Sequence, residues 1–220
     1  MDGCLSPTRP YNRELQVTAS FSYNSDLIGG NLMVRESRII ADLLLAKSDN
    51  AGWNHAIFDE NCLQKNRPAT AKRMAQAIRK RLEPLPVEFW WALRDGDDQL
   101  ATQVSFFAAV HRNLLLLEFL ETTLADAFAS RAEGLARYQW DEFLADRVQR
   151  DSVVGNWSAY SKQKMGQVVY RMLMDVGVLA EKPSSGHTRR LQPLMLRPEL
   201  EGLLEAHHYG RYLACFRALR

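Results

Sequence analysis

The chain is 220 residues long, 46% of them hydrophobic and 25% charged, with a formal net charge of +2 and three cysteines. These values suit one large or two small folded domains and exclude wholesale disorder, and cysteines without C-x-x-C spacing predict reduced thiols. Residues 1–16 lack the apolar core of a secretory signal, and charged residues interrupt the most apolar stretch, 104–120. We therefore expect a cytoplasmic protein without a membrane span.

The first third of the chain predicts an N-terminal arm followed by a helix-turn-helix-like unit. Residues 1–26 look like an arm with at most a short strand at 15–21. Helices are predicted over 32–46 and 53–60. A basic helix follows, capped by Thr70 or the residue before it, and prolines stop it shortly after position 82. Helix, short helix, turn and basic helix is the order of a helix-turn-helix.

The middle of the chain is acidic and helical. A short helix is predicted over 87–93, and then one long helix from about 99 to 130, whose wide apolar stripe indicates packing on more than one side. Another helix is predicted over 140–149. We expect the stretch 153–156 to separate that helix from the last unit.

The last third predicts a winged-helix-like unit. Ser158 or Ser161 caps an amphipathic helix, and Gly177 ends it. The apolar segments 178–180 and 191–196 then flank a polar turn, which predicts a β-hairpin directly after the helix.

A final amphipathic helix, 199–219, which Gly210 could interrupt, completes the pattern. The sequence thus predicts a mainly α fold with two helix-turn-helix or winged-helix-like units, a helical middle and a small β-hairpin wing. The predicted divisions are 1–86 for the arm and first unit, 87–150 for the acidic middle, and 151–220 for the winged-helix-like unit with its C-terminal helix.

Thirteen residues of the basic helix recur 91 positions later. Residues 70–82 (TAKRMAQAIRKRL) align without gaps with residues 161–173 (SKQKMGQVVYRML). The methionine, glutamine and final leucine are identical, and the first hydroxyl, two basic positions (Arg73 with Lys164, Lys80 with Arg171) and most apolar positions keep register. This pattern predicts one type of helix used twice.

The small net charge conceals a strong asymmetry along the chain. Residues 62–82 carry +7 with no acidic residue, and residues 152–197 carry +5, whereas residues 1–61 carry −3 and residues 83–151 carry −7. Each positive block contains one copy of the repeated helix. Clustered charge of this kind attracts phosphate even when the whole molecule is nearly neutral.

The exposed side of the first basic helix carries side chains that reach phosphates and base edges. At 3.6 residues per turn the apolar residues form one stripe and the basic residues fall opposite. A solvated basic face is the alternative interpretation, but seven basic residues without an acid favour nucleic-acid contact. The candidate contacts are Lys65, Arg67, Thr70, Lys72, Arg73, Gln76, Arg79 and Lys80.

The second copy is less basic and would need help from the hairpin. A degenerate winged helix used for protein contact would look similar, so both interpretations stay open here. The candidate contacts are Ser161, Lys162, Lys164, Gln167, Arg171, Arg189 and Arg190. Lys182 and His187, in the predicted turn, could add to them.

No catalytic pattern is present in the sequence. G-x-S-x-G, H-E-x-x-H and a paired-carboxylate site are missing, and Gly29-Gly30 lacks the lysine of a P-loop. His207-His208 lies at helical spacing from Glu201 and Glu205, but surface residues are a simpler interpretation than a metal site. We therefore predict a protein that is not an enzyme and has no catalytic residue, cofactor or metal.

The chain resembles the BrxA family of bacterial BREX (bacteriophage exclusion) systems. The resemblance covers most of the chain in the same order. It lies in Gly29-Gly30, Arg35-Glu36-Ser37, Thr70, Lys72-Arg73, Arg81-Leu82, Trp157-Ser158, Lys164, Leu173 and Gly177-Val178-Leu179.

The resemblance implies a small, mostly helical cytoplasmic protein that binds double-stranded DNA within a multi-protein phage-defence system. It supplies no catalytic residues. We expect duplex DNA as the partner, with other BREX proteins as further candidates and no membrane. The alternatives are a protein-interaction adaptor, an RNA-binding helical protein, and a repressor with a defined operator, which would favour a symmetric dimer.

Overall fold

A computed structural model describes residues 23–185 and 188–220 of the chain. The predicted strand at 15–21 and the candidate His187 lie outside the described residues. What is described is mainly helical with one small antiparallel sheet, which confirms the predicted mainly α class.

The described helices follow a 3₁₀ turn, Asp26–Gly29, and include two π-helical segments, His55–Asp59 and Leu120–Leu124. The α-helices are α1 (Val34–Leu45), α2 (Asn50–Asn54), α3 (Pro68–Leu82), α4 (Val87–Asp95), α5 (Asp98–Arg112), α6 (Leu114–Phe119), α7 (Ala125–Ala129), α8 (Tyr138–Arg150), α9 (Ser152–Asn156), α10 (Ala159–Asp175), α11 (Pro198–Ala206) and α12 (Gly210–Arg217).

The sheet contains three strands, β1 (Gly134–Ala136), β2 (Leu179–Ser185) and β3 (Thr188–Leu191), in the order β1-β3-β2. The hairpin predicted after α10 is confirmed, but its bounds differ from the prediction. Residues 191–196 were predicted as the second strand, but only Leu191 belongs to β3. The chain then leaves the sheet, and the Leu194 amide donates a hydrogen bond to the Leu219 carbonyl at 2.8 Å. The sequence analysis did not predict β1.

The predicted long helix from 99 to 130 is wrong, because the chain breaks at Asn113. This residue is extended (φ −127°, ψ 102°), and its side-chain oxygen accepts a hydrogen bond from the Leu116 amide, which caps α6. Its side-chain nitrogen donates to the Asn24 Oδ1 atom at 2.8 Å. The break is therefore stabilised by a partner 89 residues away, which no local pattern indicates.

Within 23–185 and 188–220, no single helix is long and apolar enough to cross a membrane. The helices Asp98–Arg112 and Leu114–Ala129 reach the required length and composition only as a pair, and they are bent by 105° relative to each other.

Two other connections differ from the sequence prediction or refine it. The stretch 153–156, predicted as a separator, belongs to α9, because the Asp151 carboxylate accepts a hydrogen bond from the Val153 amide at 2.9 Å and caps a short helix. The final helix is interrupted before Gly210, as the glycine suggested, and His208 there has a positive φ of 60°.

The core forms around α5, which is buried over most of its length. Phe107 of this helix packs against Phe89 of α4, with ring centroids 5.0 Å apart, and Phe106 stacks on Phe216 of α12 at 5.7 Å. Helix α3 packs on α1 and α5, while α10 packs on α8 and β2. The short 3₁₀ turn Asp26–Gly29 contacts both α3 and α10, so one segment of chain lies against both copies of the repeated helix.

Candidate nucleic-acid interface

Helix α3 begins two residues before the predicted cap. Arg67 is extended, as a residue before proline should be, and Pro68 occupies the first helical turn, where its missing N–H costs nothing. Thr70 therefore lies half-buried inside the first turn and is not the cap. The buried side consists of Ala71, Ala75, Ile78, Arg81 and Leu82, so the predicted apolar stripe is confirmed with one charged addition.

Two of the candidate cations near α3 are already paired within the protein. The Lys65 ammonium lies 2.7 Å from the Glu36 Oε1 atom, with both side chains mostly buried. Arg79 donates to the Glu83 Oε1 atom at 3.0 Å, and its guanidinium carbon lies 4.8 Å from the centre of the Trp53 ring. These two side chains hold α3 against its neighbours.

The exposed side of α3 consists of Lys72, Arg73, Gln76 and Lys80. Arg67 is exposed directly before the helix. These positions present cations and one amide to solvent from one helix, as the sequence predicts.

Three of these exposed residues, Arg73, Gln76 and Lys80, line one wall of a cavity of about 250 Å³. The cavity is also lined by Ser25, Asp26 and Gly29, in or next to the 3₁₀ turn that precedes α1, and by Arg112 at the end of α5. The exposed face of α3 is thus partly concave and basic.

Helix α10 begins as the sequence predicts, with Ser158 as its cap. The Ser158 hydroxyl oxygen accepts a hydrogen bond from the Ser161 amide at 3.0 Å. Met165, Val169 and Leu173 are buried, which confirms the predicted apolar face. Tyr170 is also buried, and its hydroxyl donates to the Ala136 carbonyl of β1 at 2.6 Å.

The polar residues of α10 are less available than those of α3. Lys162 and Lys164 are half-buried, and the Lys162 ammonium lies 3.4 Å from the Gly155 carbonyl. Arg171 is paired with Asp175 at 2.9 Å. Gln167 is exposed, and Ser161 is half-buried beside its cap.

The two hairpin arginines lie side by side in β3. Arg190 is exposed, whereas Arg189 is half-buried and donates to the Ala180 carbonyl of β2 at 3.3 Å. Both residues pair with β1, opposite Gly134 and Leu135. Of the two predicted hairpin arginines, Arg190 is therefore exposed and Arg189 is partly engaged by β2.

Arg81, Arg112 and Asp26 belong to the cavity beside α3, although the sequence analysis did not select them. Arg112 is paired with Asp26 at 2.9 Å. Arg81 donates to the carbonyl oxygens of Asn31 and Gly30 at 2.8 and 2.9 Å. The available signal for Arg81 was a charged residue on the apolar stripe, directly before Leu82.

In the part of the chain that the structure describes, no group of three or more His, Cys, Asp and Glu side chains could hold a metal ion. Glu201 instead pairs with Arg217 and Arg220, and His207 lies 3.4 Å from Glu88.

Comparisons with known proteins agree with this fold. The family model described as BrxA matches residues 22–208. A BREX protein BrxA from Paramagnetospirillum magneticum is 35% identical over 195 residues, covering 89% of this chain and 96% of that protein. A BREX protein BrxA from Escherichia coli O9:H4 is 34% identical over 180 residues, covering 82% and 83%.

The fold is also similar to the crystal structure of an uncharacterized protein from Magnetospirillum magneticum. The TM-score is 0.79 with 34% sequence identity, over 89% of this chain and 98% of that one. Together with the family match over residues 22–208, these similarities show that the chain belongs to the BrxA family of BREX proteins.

Proposed function

We propose that this chain is a non-enzymatic, double-stranded-DNA-binding component of a BREX-type phage-defence system. The observation that carries the proposal is the exposed face of α3, where Lys72, Arg73, Gln76 and Lys80 lie on one helix within a segment, residues 62–82, that has no acidic residue. Such a face attracts a polyanion and offers donors to its phosphates.

The segment from β1 to β3 supports the same function through its order of elements. Strand β1, helices α8 to α10 and the hairpin β2–β3 follow one another, and β3 lies between β1 and β2. A helix followed by a hairpin, with a third strand closing the sheet, is the arrangement expected of a winged helix. In that arrangement α10 would take the place of the recognition helix, with Arg190 beside it.

Contact is proposed to run mainly through phosphates, with little sequence preference. The cations of α3 are long, exposed side chains, and the cations of α10 are fewer and partly paired. If about six to eight phosphates are neutralised, log affinity should fall against log salt with a slope of roughly −5 to −7.

The test is duplex binding by the Arg73→Gln/Lys80→Gln variant, measured by fluorescence anisotropy at several salt concentrations. Each exposed cation removed should reduce the salt slope by about 1, so the double variant should lose roughly tenfold to a hundredfold in affinity at low salt. The matched control is Lys47→Gln/Arg150→Gln, which removes two exposed cations outside the proposed interface.

Single-stranded DNA and duplex RNA of the same sequence belong in the same experiment. Selective duplex-DNA binding that is lost in the Arg73→Gln/Lys80→Gln variant and kept in the control supports the proposal. Equal losses in both variants would mean that only net charge matters. The absence of salt-sensitive duplex binding in the unmodified chain would refute the proposal.

A protein-interaction adaptor is the second candidate, and one observation favours it. The tyrosines at 138, at the start of α8, and at 160, at the start of α10, are 59% and 73% exposed. Tyr160 lines a cavity of about 580 Å³ that also includes Arg137 and Asp141. Exposed tyrosines beside charges of both signs are typical of protein interfaces. Retained capture of another BREX protein by a chain that does not bind duplex DNA would favour this function.

A further inference from the structure

Among the residues that the structure describes, the cavity beside α3 combines four basic side chains with one carboxylate. Its walls include Arg73 and Lys80 of α3, the buried Arg81, and Arg112 of α5. The acidic residue in this described lining, Asp26, is paired with Arg112 at 2.9 Å. The local charge around the cavity is therefore strongly positive.

Arg81 makes this charge unusual, because it is buried. The residue is only 7% exposed, and among the described residues its guanidinium donates to two neutral carbonyl oxygens and to no carboxylate. Burial lowers the pKa of Arg81 to about 10, and the charge of Asp26 opposes this shift only in part. A buried charge without a contacting counter-ion is costly, so an anion entering the cavity would be stabilised by it.

The second copy of the helix shows what the packing alone requires at this position. The residue that aligns with Arg81 is Met172, which is completely buried in the core. In α10, therefore, an apolar side chain packs at the position that an arginine occupies in α3. The arginine in α3 needs another explanation than core packing.

We propose that the cavity lined by Arg73, Gln76, Lys80, Arg81 and Arg112 is a binding site for one phosphate group. Arg73 and Lys80 lie exposed at its rim and can donate directly, and the Gln76 amide adds a neutral donor. Arg81 supplies charge from beneath, because two of its donors are already bonded to Gly30 and Asn31. Several convergent charged donors are the usual means of holding phosphate.

The volume of about 250 Å³ exceeds that of one phosphate group and leaves room for an attached sugar. The group could belong to the backbone of a duplex or to a free phosphate ester, and the chemistry of recognition is shared. The inference concerns the phosphate site and stands apart from duplex binding.

The direct test follows the Arg81 side-chain Nε–H resonance by NMR while inorganic phosphate replaces chloride at constant ionic strength. We expect saturable shifts with a dissociation constant in the millimolar range, as for a small anion without other contacts. The Lys80→Gln variant should bind phosphate about tenfold more weakly, because it loses a charged donor at the rim.

The matched control is Lys47→Gln, which removes the same charge from an exposed position outside both the cavity and the proposed duplex interface. Its phosphate affinity should stay within about twofold of the unmodified protein, since a solvent-exposed charge that does not line the cavity is largely screened by water and salt. No saturation up to about 50 mM phosphate, or equal weakening in both variants, would overturn the proposal.

Two further arms identify the source of the phosphate. Displacement of inorganic phosphate by a short duplex without terminal phosphates assigns the site to the DNA backbone. Tighter binding of adenosine monophosphate than of inorganic phosphate, without displacement by the duplex, assigns it to a free phosphate ester. Duplex binding without phosphate binding would overturn this inference alone, and phosphate binding without duplex binding would overturn only the proposed function.

Discussion

The two copies of the thirteen-residue helix, in α3 and α10, share an interior but differ at the surface. In both copies a small residue packs in the core, Ala75 in α3 and Gly166 in α10. Both copies end on a buried leucine, Leu82 and Leu173. The shared pattern therefore describes how each helix packs.

The exposed faces differ in what the neighbouring elements do to their charges. In α3, Arg73 and Lys80 face a cavity in which the carboxylate of Asp26 is already paired with Arg112. In α10, the residue aligned with Lys80 is Arg171, which is paired with Asp175 of the same helix. A repeated sequence thus yields a strongly basic face in one place and a less basic, partly paired one in the other.

The largest expected effect tests the shared interior. Leu82→Ala and Leu173→Ala each delete a fully buried side chain, so each should lower the free energy of unfolding by about 2–5 kcal/mol. Urea unfolding followed by circular dichroism measures both. The aligned exposed positions provide controls, because Lys72→Ala and Gln163→Ala should change the stability by less than about 0.5 kcal/mol. A loss below 1 kcal/mol at one leucine only would break the equivalence of the two interiors.

An intermediate effect should distinguish the two small residues. A Cβ atom at Gly166 would lie 2.6 Å from the Cδ1 atom of Trp140, whose ring is buried and whose Nε1 atom donates to the Lys162 carbonyl. Gly166→Ala should therefore destabilise the protein by about 1–3 kcal/mol, although alanine favours helix. The free energy of unfolding in urea checks this value.

The control for that substitution is Gly202→Ala in α11, where no atom lies within 4 Å of the added Cβ. Helix propensity alone should then stabilise the protein by up to about 1 kcal/mol. If Gly166→Ala stabilised the protein as well, the close packing of α8 on α10 would be wrong.

The smallest expected effect concerns Lys65, which precedes α3. The residue that aligns with it 91 positions later is Asn156, which carries no charge. Burial pushes the pKa of Glu36 upward, but the hydrogen bond and charge of Lys65 bring it below its ordinary value. A carboxyl with a lowered pKa contributes stability above its unfolded pKa and loses it as the pH falls through its folded pKa.

Lys65→Gln should therefore cost about 1 kcal/mol at pH 7, and the cost should shrink as the pH falls below about 4. Urea unfolding at pH 7 and below about pH 4 measures the difference in unfolding free energy between the variant and the unmodified protein. Lys47→Gln, at an exposed lysine, is the control. Because the Lys65 ammonium is already paired, the variant should also lose less duplex affinity than Lys80→Gln. A larger loss would return Lys65 to the proposed interface.

Local patterns in the sequence determined most helices of this protein. The 3.6-residue periodicity placed α1, α3, α4, α8 and α10 to within a few residues, because each buries one apolar stripe. Ser158 and Gly177 marked the ends of α10, and the hairpin followed from the apolar segments beside a polar turn. Short-range signals of this kind act within one helix or one hairpin.

Only the tertiary structure decided which basic side chains are paired within the protein and where the middle helix is interrupted. Asn113 interrupts the middle helix with the help of Asn24, β1 becomes a strand by pairing with β3, and Lys65 is bonded to Glu36. The basic cavity likewise needs the turn at Asp26–Gly29 to meet α3 and the end of α5. These features depend on residues far apart in sequence, whose contact is specified by the packing of the whole core and by no periodicity along the chain.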